Sequence, residues 1–135
     1  MRHRVNKKTF GKLTKHRAHL LKNLVMSLLE HGHIETTKPR AKETKRLADK
    51  LIGQAQDGSV ATRRKLHKFF GKRQVVNRLV DEVAPAMADR KSGYSRVVDQ
   101  GRRRGDNTEM ARLELIKQPQ VKQEEKQASK KTQKE

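Results

Sequence analysis

The chain opens MRHRVNKKTFGKLTKHRAHLLKNLVMSLL, twenty-nine residues with eight Lys or Arg and not one Asp or Glu. Such a segment repels itself and holds nothing that could neutralise it, so it cannot collapse by its own means. Up to Thr14 its apolar side chains are only Met1, Val5, Phe10 and Leu13, with Gly11 among them. No helical or strand period emerges from that spacing, and residues 1–14 are expected to form an extended basic arm. Fully stretched, about fourteen residues at ~3.3–3.6 Å each would reach roughly 50 Å.

The charge is uneven along the rest of the chain. It is +8 over 1–29, +8 over 30–116 and +3 over 117–135, within a total of +19 for 135 residues. Its density is thus greatest over the first twenty-nine residues, and a polyanion is the partner that such a surface requires. Core material is thin: 32% hydrophobic residues, three Phe, one Tyr and no Trp. A small aliphatic core is expected, with modest stability away from the partner. The lack of Cys excludes disulfides, thiolate zinc sites and thiol nucleophiles. Apolar runs stop at two or three residues, far below the ~20 that span a bilayer, so no membrane partner is expected.

From about Lys15, Leu20, Leu21, Leu24, Val25 and Leu28 recur at helical spacing, with Lys15, Arg17 and Lys22 mainly off the stripe. Gly32 marks the end of that helix. HIETT reads as a strand. TTKPRAKE starts a second helix, with Pro39 in its first turn; Ala41, Thr44, Ala48, Leu51, Ile52 and Ala55 form its inner face. After the Asp57-Gly58 turn, Ser59 caps a third helix running to about Phe70. Past Gly71, the spacing of Val75, Val76, Leu79, Val80 and Val83 predicts a fourth, and Pro85 opens one more turn ending near Arg90. YSRVV and MARLELI read as strands, the second with Ala111, Leu113 and Leu115 inward and Arg112 and Glu114 outward. DQGRRRGDNTE joins them as a long hairpin loop. The order helix, strand, three or four helices, two strands predicts a small two-layer α+β domain over 15–116. Residues 117–135 are expected to be a mobile or weakly helical tail.

Three basic groups carry the chemistry. They are the leader (Arg2, Arg4, Lys7, Lys8, Lys12, Lys15, Arg17, Lys22), the stretch RRKLHKFFGKR with Arg63 and Arg64, and the loop arginines Arg102, Arg103 and Arg104. One such group alone reads as a solvated face. Together with an acid-free leader they read as phosphate-binding surfaces that gain by releasing condensed counterions. Duplex readers present a recognition helix or paired basic helices, and single-strand readers interleave aromatic rings; neither pattern is evident. Folded RNA, recognised by shape, phosphate and 2′-hydroxyl contacts, is the expected ligand. The alternative is a DNA-binding, chromosome-coating protein, which would need a dimer seam and a minor-groove wedge. An enzyme is not expected, since neither a Gly-rich cofactor loop nor a nucleophile–base pair is present.

MRHR, KHRAHLLKNLVMSLLEHGHIETTKPRAKETKRLADKLI, GYSRVV and RGDNTEMARLELI together resemble the bacterial-type large-subunit ribosomal protein seventeen family, in the same order from Met1 to about Ile116. The resemblance implies an α+β fold, binding to large-subunit ribosomal RNA near the peptide exit region, neighbouring ribosomal proteins as further partners, and a place on the cytoplasmic ribosome. Carried over by position, it implies RNA contacts at Arg2, His3 and Arg4, at Lys15, His16 and Arg17, and at Thr36, Thr37, Lys38, Arg40 and Lys42. Arg112 departs from the pattern, where a ring or an apolar residue is expected.

Several tempting motifs have plainer readings. His16 and His19, or His31 and His33, have spacings that a metal could use, but no Cys or carboxylate cluster completes a set, so no metal, cofactor or small-molecule substrate is expected. Arg104-Gly105-Asp106 reads as a turn. Glu124-Glu125 lies in the tail and cannot hold a catalytic geometry. The basic start imitates an organelle transit peptide, yet it lacks Ser before Ser27 and the resemblance already begins at Met1, so an organelle ribosome is not the expected location.

Overall fold

The structure, a computed structural model, describes His3 and residues 8–117. Arg2, Arg4, Lys7 and the expected tail past Lys117 lie outside the described residues.

Helix α1 spans Thr14–His31 and stops at Gly32, whose φ of 79° only glycine adopts readily and whose N–H donates to Leu28 O at 2.8 Å. Strand β1 (His33–Thr37) leads directly into α2 (Lys38–Ala55), with Pro39 in its first turn. Ser59 Oγ then accepts the Thr62 N–H at 3.2 Å and starts α3 (Val60–Phe70). Next come α4 (Arg73–Asn77), a π-helical turn (Arg78–Val83) and α5 (Ala84–Ala86), followed by β2 (Ser95–Arg102) and β3 (Glu109–Leu115).

The three strands form an antiparallel sheet in the order β1-β3-β2. Thr36 pairs with Ala111, Ile34 and Val97 with Leu113, and Ser95 with Leu115, which sets one face of the sheet against the helices. All six residues of the expected inner face of α2 are buried there, with Phe70, Leu66, Leu79, Val83 and Met87. The single tyrosine is also buried; Tyr94 Oη lies 3.2 Å from Gln56 Oε1 and 2.9 Å from the Lys91 carbonyl, so its polar tip is satisfied.

The structure differs from the sequence expectation at three places. The expected stripe of α1 is buried only at Val25 and Leu28, joined by Leu29, whereas Leu20, Leu21 and Leu24 are half-covered. An 18-residue helix is ~27 Å long, and its first half outruns the body. The long hairpin loop is shorter than expected, because β2 continues through Asp99, Gln100 and Gly101 to Arg102 across a bulge; Gly101, with φ of 86°, supplies the backbone freedom. Last, the wide turn at Arg78–Val83 keeps the apolar period of a helix, so no residue spacing announces it.

Candidate nucleic-acid interface

Residues 9–12 of the leader do not run straight. Phe10 and Gly11 are both left-handed, with φ of 53° and 61°, and Lys12 N–H donates to Thr9 O at 3.1 Å, so the chain reverses just before α1. The reach of a fully extended arm therefore does not apply to residues 9–12. Leu13 is 75% exposed, and no residue of Thr14–Leu24 is buried. His3, Lys8, Lys12, Lys15 and His16 are exposed, and Arg17 and Lys22 half-buried. Lys22 Nζ lies 3.8 Å from the point that a Cβ on Gly71 would occupy. The ammonium thus stands beside the C-terminus of α3, where helix carbonyls favour a cation, and the leader meets the second basic group there.

In that second group Arg64, Lys65, Lys68, Lys72 and Arg73 are exposed, and none is in an ion pair among the described residues. Arg63 differs, because its Nη2 lies 2.5 Å from Asp81 Oδ1. That hydrogen bond holds the Asp81 carboxyl below its ordinary range.

The start of α2 and the Arg loop also adjoin. Lys38 Nζ is 2.9 Å from Asp99 Oδ2 on β2 and 3.7 Å from Glu109 Oε2 on β3, so its charge is engaged within the body. Lys42 is exposed and Arg40 half-buried, without carboxylate partners among the described residues. Thr37, half-buried, precedes the helix with no side-chain hydrogen bond to it, and no acid occupies the first turn. Thr36 departs from the expected RNA contact: it is 8% exposed and paired with Ala111 on the covered side of the sheet, so its side chain serves the body. In the loop, Arg103 donates to both Asp106 oxygens, at 3.1 and 2.6 Å, whereas Arg102 and Arg104 are exposed without acid partners among the described residues. Thr108 adds two more bonds to Asp106, from N at 3.3 Å and from Oγ1 at 2.7 Å. The Arg103 bond first, and then that of Thr108, holds the Asp106 carboxyl far below the usual carboxylate range.

The open face of the sheet has another character. Arg112, on β3 opposite Glu35, donates to Glu35 Oε1 at 2.9 Å, and Gln100 donates to the same oxygen at 2.7 Å. Arg96 pairs with Glu114 across the β2–β3 ladder. The departure at Arg112 is therefore a cross-strand ion pair. Beside these pairs sit half-buried Met110 and exposed Val98, the latter at 41%.

Across the described residues the carboxylates are nearly all engaged. Only Glu30, Asp49 and Asp57 stand outside ion pairs; Asp49 accepts from Ser95 and Asp57 from Ser59 and Thr62. All of them lie from Glu30 onward, so the described cations of the leader have no acid of their own segment to meet. Arg90 and Lys91, to which the sequence reading gives no role, are also exposed and outside those pairs; their adjacency was the available signal. No three His, Asp or Glu among the described residues converge to hold a metal ion, and no described helix is long and apolar enough to cross a membrane.

Comparison with known proteins matches this arrangement to one family. The family model described as Ribosomal protein L17 matches residues 20–116. Large ribosomal subunit protein bL17 of Finegoldia magna is 48% identical over 111 residues, covering 82% of this chain and 85% of that protein. The protein of the same description from Anaeromyxobacter sp. (strain K) is 46% identical over 116 residues, 86% of this chain and 73% of its own length. That of Clostridium botulinum (strain Hall) is 46% identical over 106 residues, 78% and 94%. With its α+β body, acid-free leader and matched span from the first helix through the last strand, the chain belongs to the ribosomal protein L17 family.

Proposed function

We propose that the chain is a non-enzymatic structural constituent of the large ribosomal subunit, which binds and neutralises folded large-subunit ribosomal RNA near the peptide exit region. The observation that carries this reading is the separation of free from engaged charge. Except for Glu30, the described carboxylates of the body are consumed by nearby cations or hydroxyls, while the described cations of the leader and most of those on α3 have none. A cation already paired has little further to gain from phosphate, whereas a free one releases a counterion when it meets one.

On this reading Arg2, His3, Arg4, Lys7, Lys8, Lys12, Lys15, His16, Arg17 and Lys22 form one RNA-binding run that continues onto Arg64 and its neighbours at Gly71. Thr37, Arg40, Lys42, Arg102 and Arg104 form the other. Lys38 and Arg63 act mainly by holding strands and helices together. The open sheet face, whose charges cancel in pairs around Val98 and Met110, is the side turned toward neighbouring ribosomal proteins, because a balanced surface attracts no phosphate. The place of action is the ribosome.

Filter binding to large-subunit ribosomal RNA fragments, in competition with duplex DNA at matched salt, tests the proposal. If six to ten phosphates are engaged, affinity should fall ~10³–10⁵-fold between 50 and 200 mM salt, with structured RNA preferred. A flat salt response, or a clear preference for the duplex, would overturn it.

A further inference from the structure

We propose that Arg103 is a positioning residue, whose fork with Asp106 locks the β2–β3 turn in the shape that presents Arg102 and Arg104 to RNA. The inference deepens the ribosomal RNA reading and rests on it. Residues 101–107 are all exposed, so no apolar packing holds this turn. Its backbone closes through Arg103 N–H to Thr108 O at 2.9 Å and Asn107 N–H to Arg103 O at 3.0 Å. Asn107 takes a φ of 52°, left-handed and uncommon outside glycine. What ties these residues together is Asp106, which receives the Arg103 Nε–H and Nη2–H on its two oxygens and the Thr108 N–H and Oγ1–H besides.

A lone exposed ion pair is worth little. A two-point guanidinium fork on a carboxylate that also caps a turn is the favourable exception, since direction as well as charge is fixed. The acid is also out of place if charge alone matters: between Arg102, Arg103, Arg104 and a phosphate, Asp106 can only weaken attraction. Its presence makes sense if order is what the loop needs. A turn already set before binding avoids the entropy of being set during it, and Arg103 gives up its own phosphate contact to that end.

Pure electrostatics and positioning predict opposite signs. In the full chain, Asp106→Ala removes a negative charge and frees Arg103. If the lock matters, binding to the large-subunit RNA fragment weakens by ~3–10-fold despite the added positive charge. Arg103→Gln should weaken it by a similar factor with the salt slope unchanged, and the double variant should be no worse than either single one. Arg102→Gln and Arg104→Gln should each lower the slope by ~0.7–0.9. Backbone amide relaxation over 102–108 should show the turn loosened in Asp106→Ala, with the melting temperature of the body unchanged. Tighter or unchanged binding by Asp106→Ala would overturn the proposal, as would a slope reduced by about one unit in Arg103→Gln. If the unaltered chain itself shows no salt-dependent RNA binding, the ribosomal RNA reading fails and the positioning role with it; a failure confined to the variants falls on the positioning role alone.

Discussion

Replacing Lys8, Lys12, Lys15 and Arg17 together by Gln should change RNA binding far more than replacing an equally basic set from the sheet and its neighbourhood. None of the four is buried, and none has a carboxylate partner among the described residues. Each is free to release about one counterion, which contributes ~0.7–0.9 to the slope of log affinity against log salt. Four lost contacts remove ~3 units of slope, and across a fourfold change in salt, from 50 to 200 mM, that is roughly a 10²-fold loss of salt sensitivity. The comparison set is Lys38, Arg96, Arg112 and Lys117, all to Gln. These cations already face Asp99, Glu114, Glu35 and Asp89 respectively, so their removal should cost less than one unit of slope in all. Filter binding at four or five salt concentrations reads both numbers, and thermal melts should place the leader variant within ~0.5 kcal/mol of the unaltered chain. Equal slope changes for the two sets would refute the reasoning, since affinity would then follow net charge and not the supply of unpaired cations.

Three further outcomes follow from the body. Leu28→Ala, at a side chain of 0% exposure, should destabilise by ~2–5 kcal/mol in urea unfolding. Thr44→Val should stabilise by ~1 kcal/mol, because the Thr44 hydroxyl is buried without a hydrogen-bond partner among the described residues and valine keeps its shape. Stability should also fall in acid. Hydrogen bonds from Gln100, Arg63, Lys117 and Arg103 hold the carboxyls of Glu35, Asp81, Asp89 and Asp106 below their ordinary values. A carboxyl lowered by folding contributes stability that is full above its unfolded value, ~4, and is lost as pH falls through the folded one. Melts should therefore show this contribution intact above pH ~5 and declining below ~4.

Most of the fold was legible where a residue type has one backbone use. Gly32 and Gly71 end helices, Pro39 and Ser59 begin them, and the helical spacing over 41–55 specifies the inner face of α2 residue by residue. Features that depend on partners distant in sequence were not. Leu20 and Leu24 keep the helical period whether or not a body lies beneath them. Gln100 and Gly101 look like loop until β3 pairs beside them. The interface shows the same limit. Its basic residues are plain in the sequence, but which are free is decided by Asp81, 18 positions from Arg63, and by Asp99, 61 from Lys38. The inward turn of Thr36 likewise needs the β1–β3 register.

The distribution of acids answers how so basic a chain folds at all. Cations on the body would oppose compaction if left alone, and there the carboxylates stand opposite them: Glu35 on the open sheet face, Asp81 against α3, Asp99 and Glu109 at the start of α2. The described leader residues have no such relief, but none of residues 8–24 is buried, and α1 enters the core only from Val25 onward. Repulsion among these cations therefore costs little packing. Stability and polyanion affinity thus rest on different side chains of one chain, so a change in the leader can alter binding by orders of magnitude while the core remains as it was.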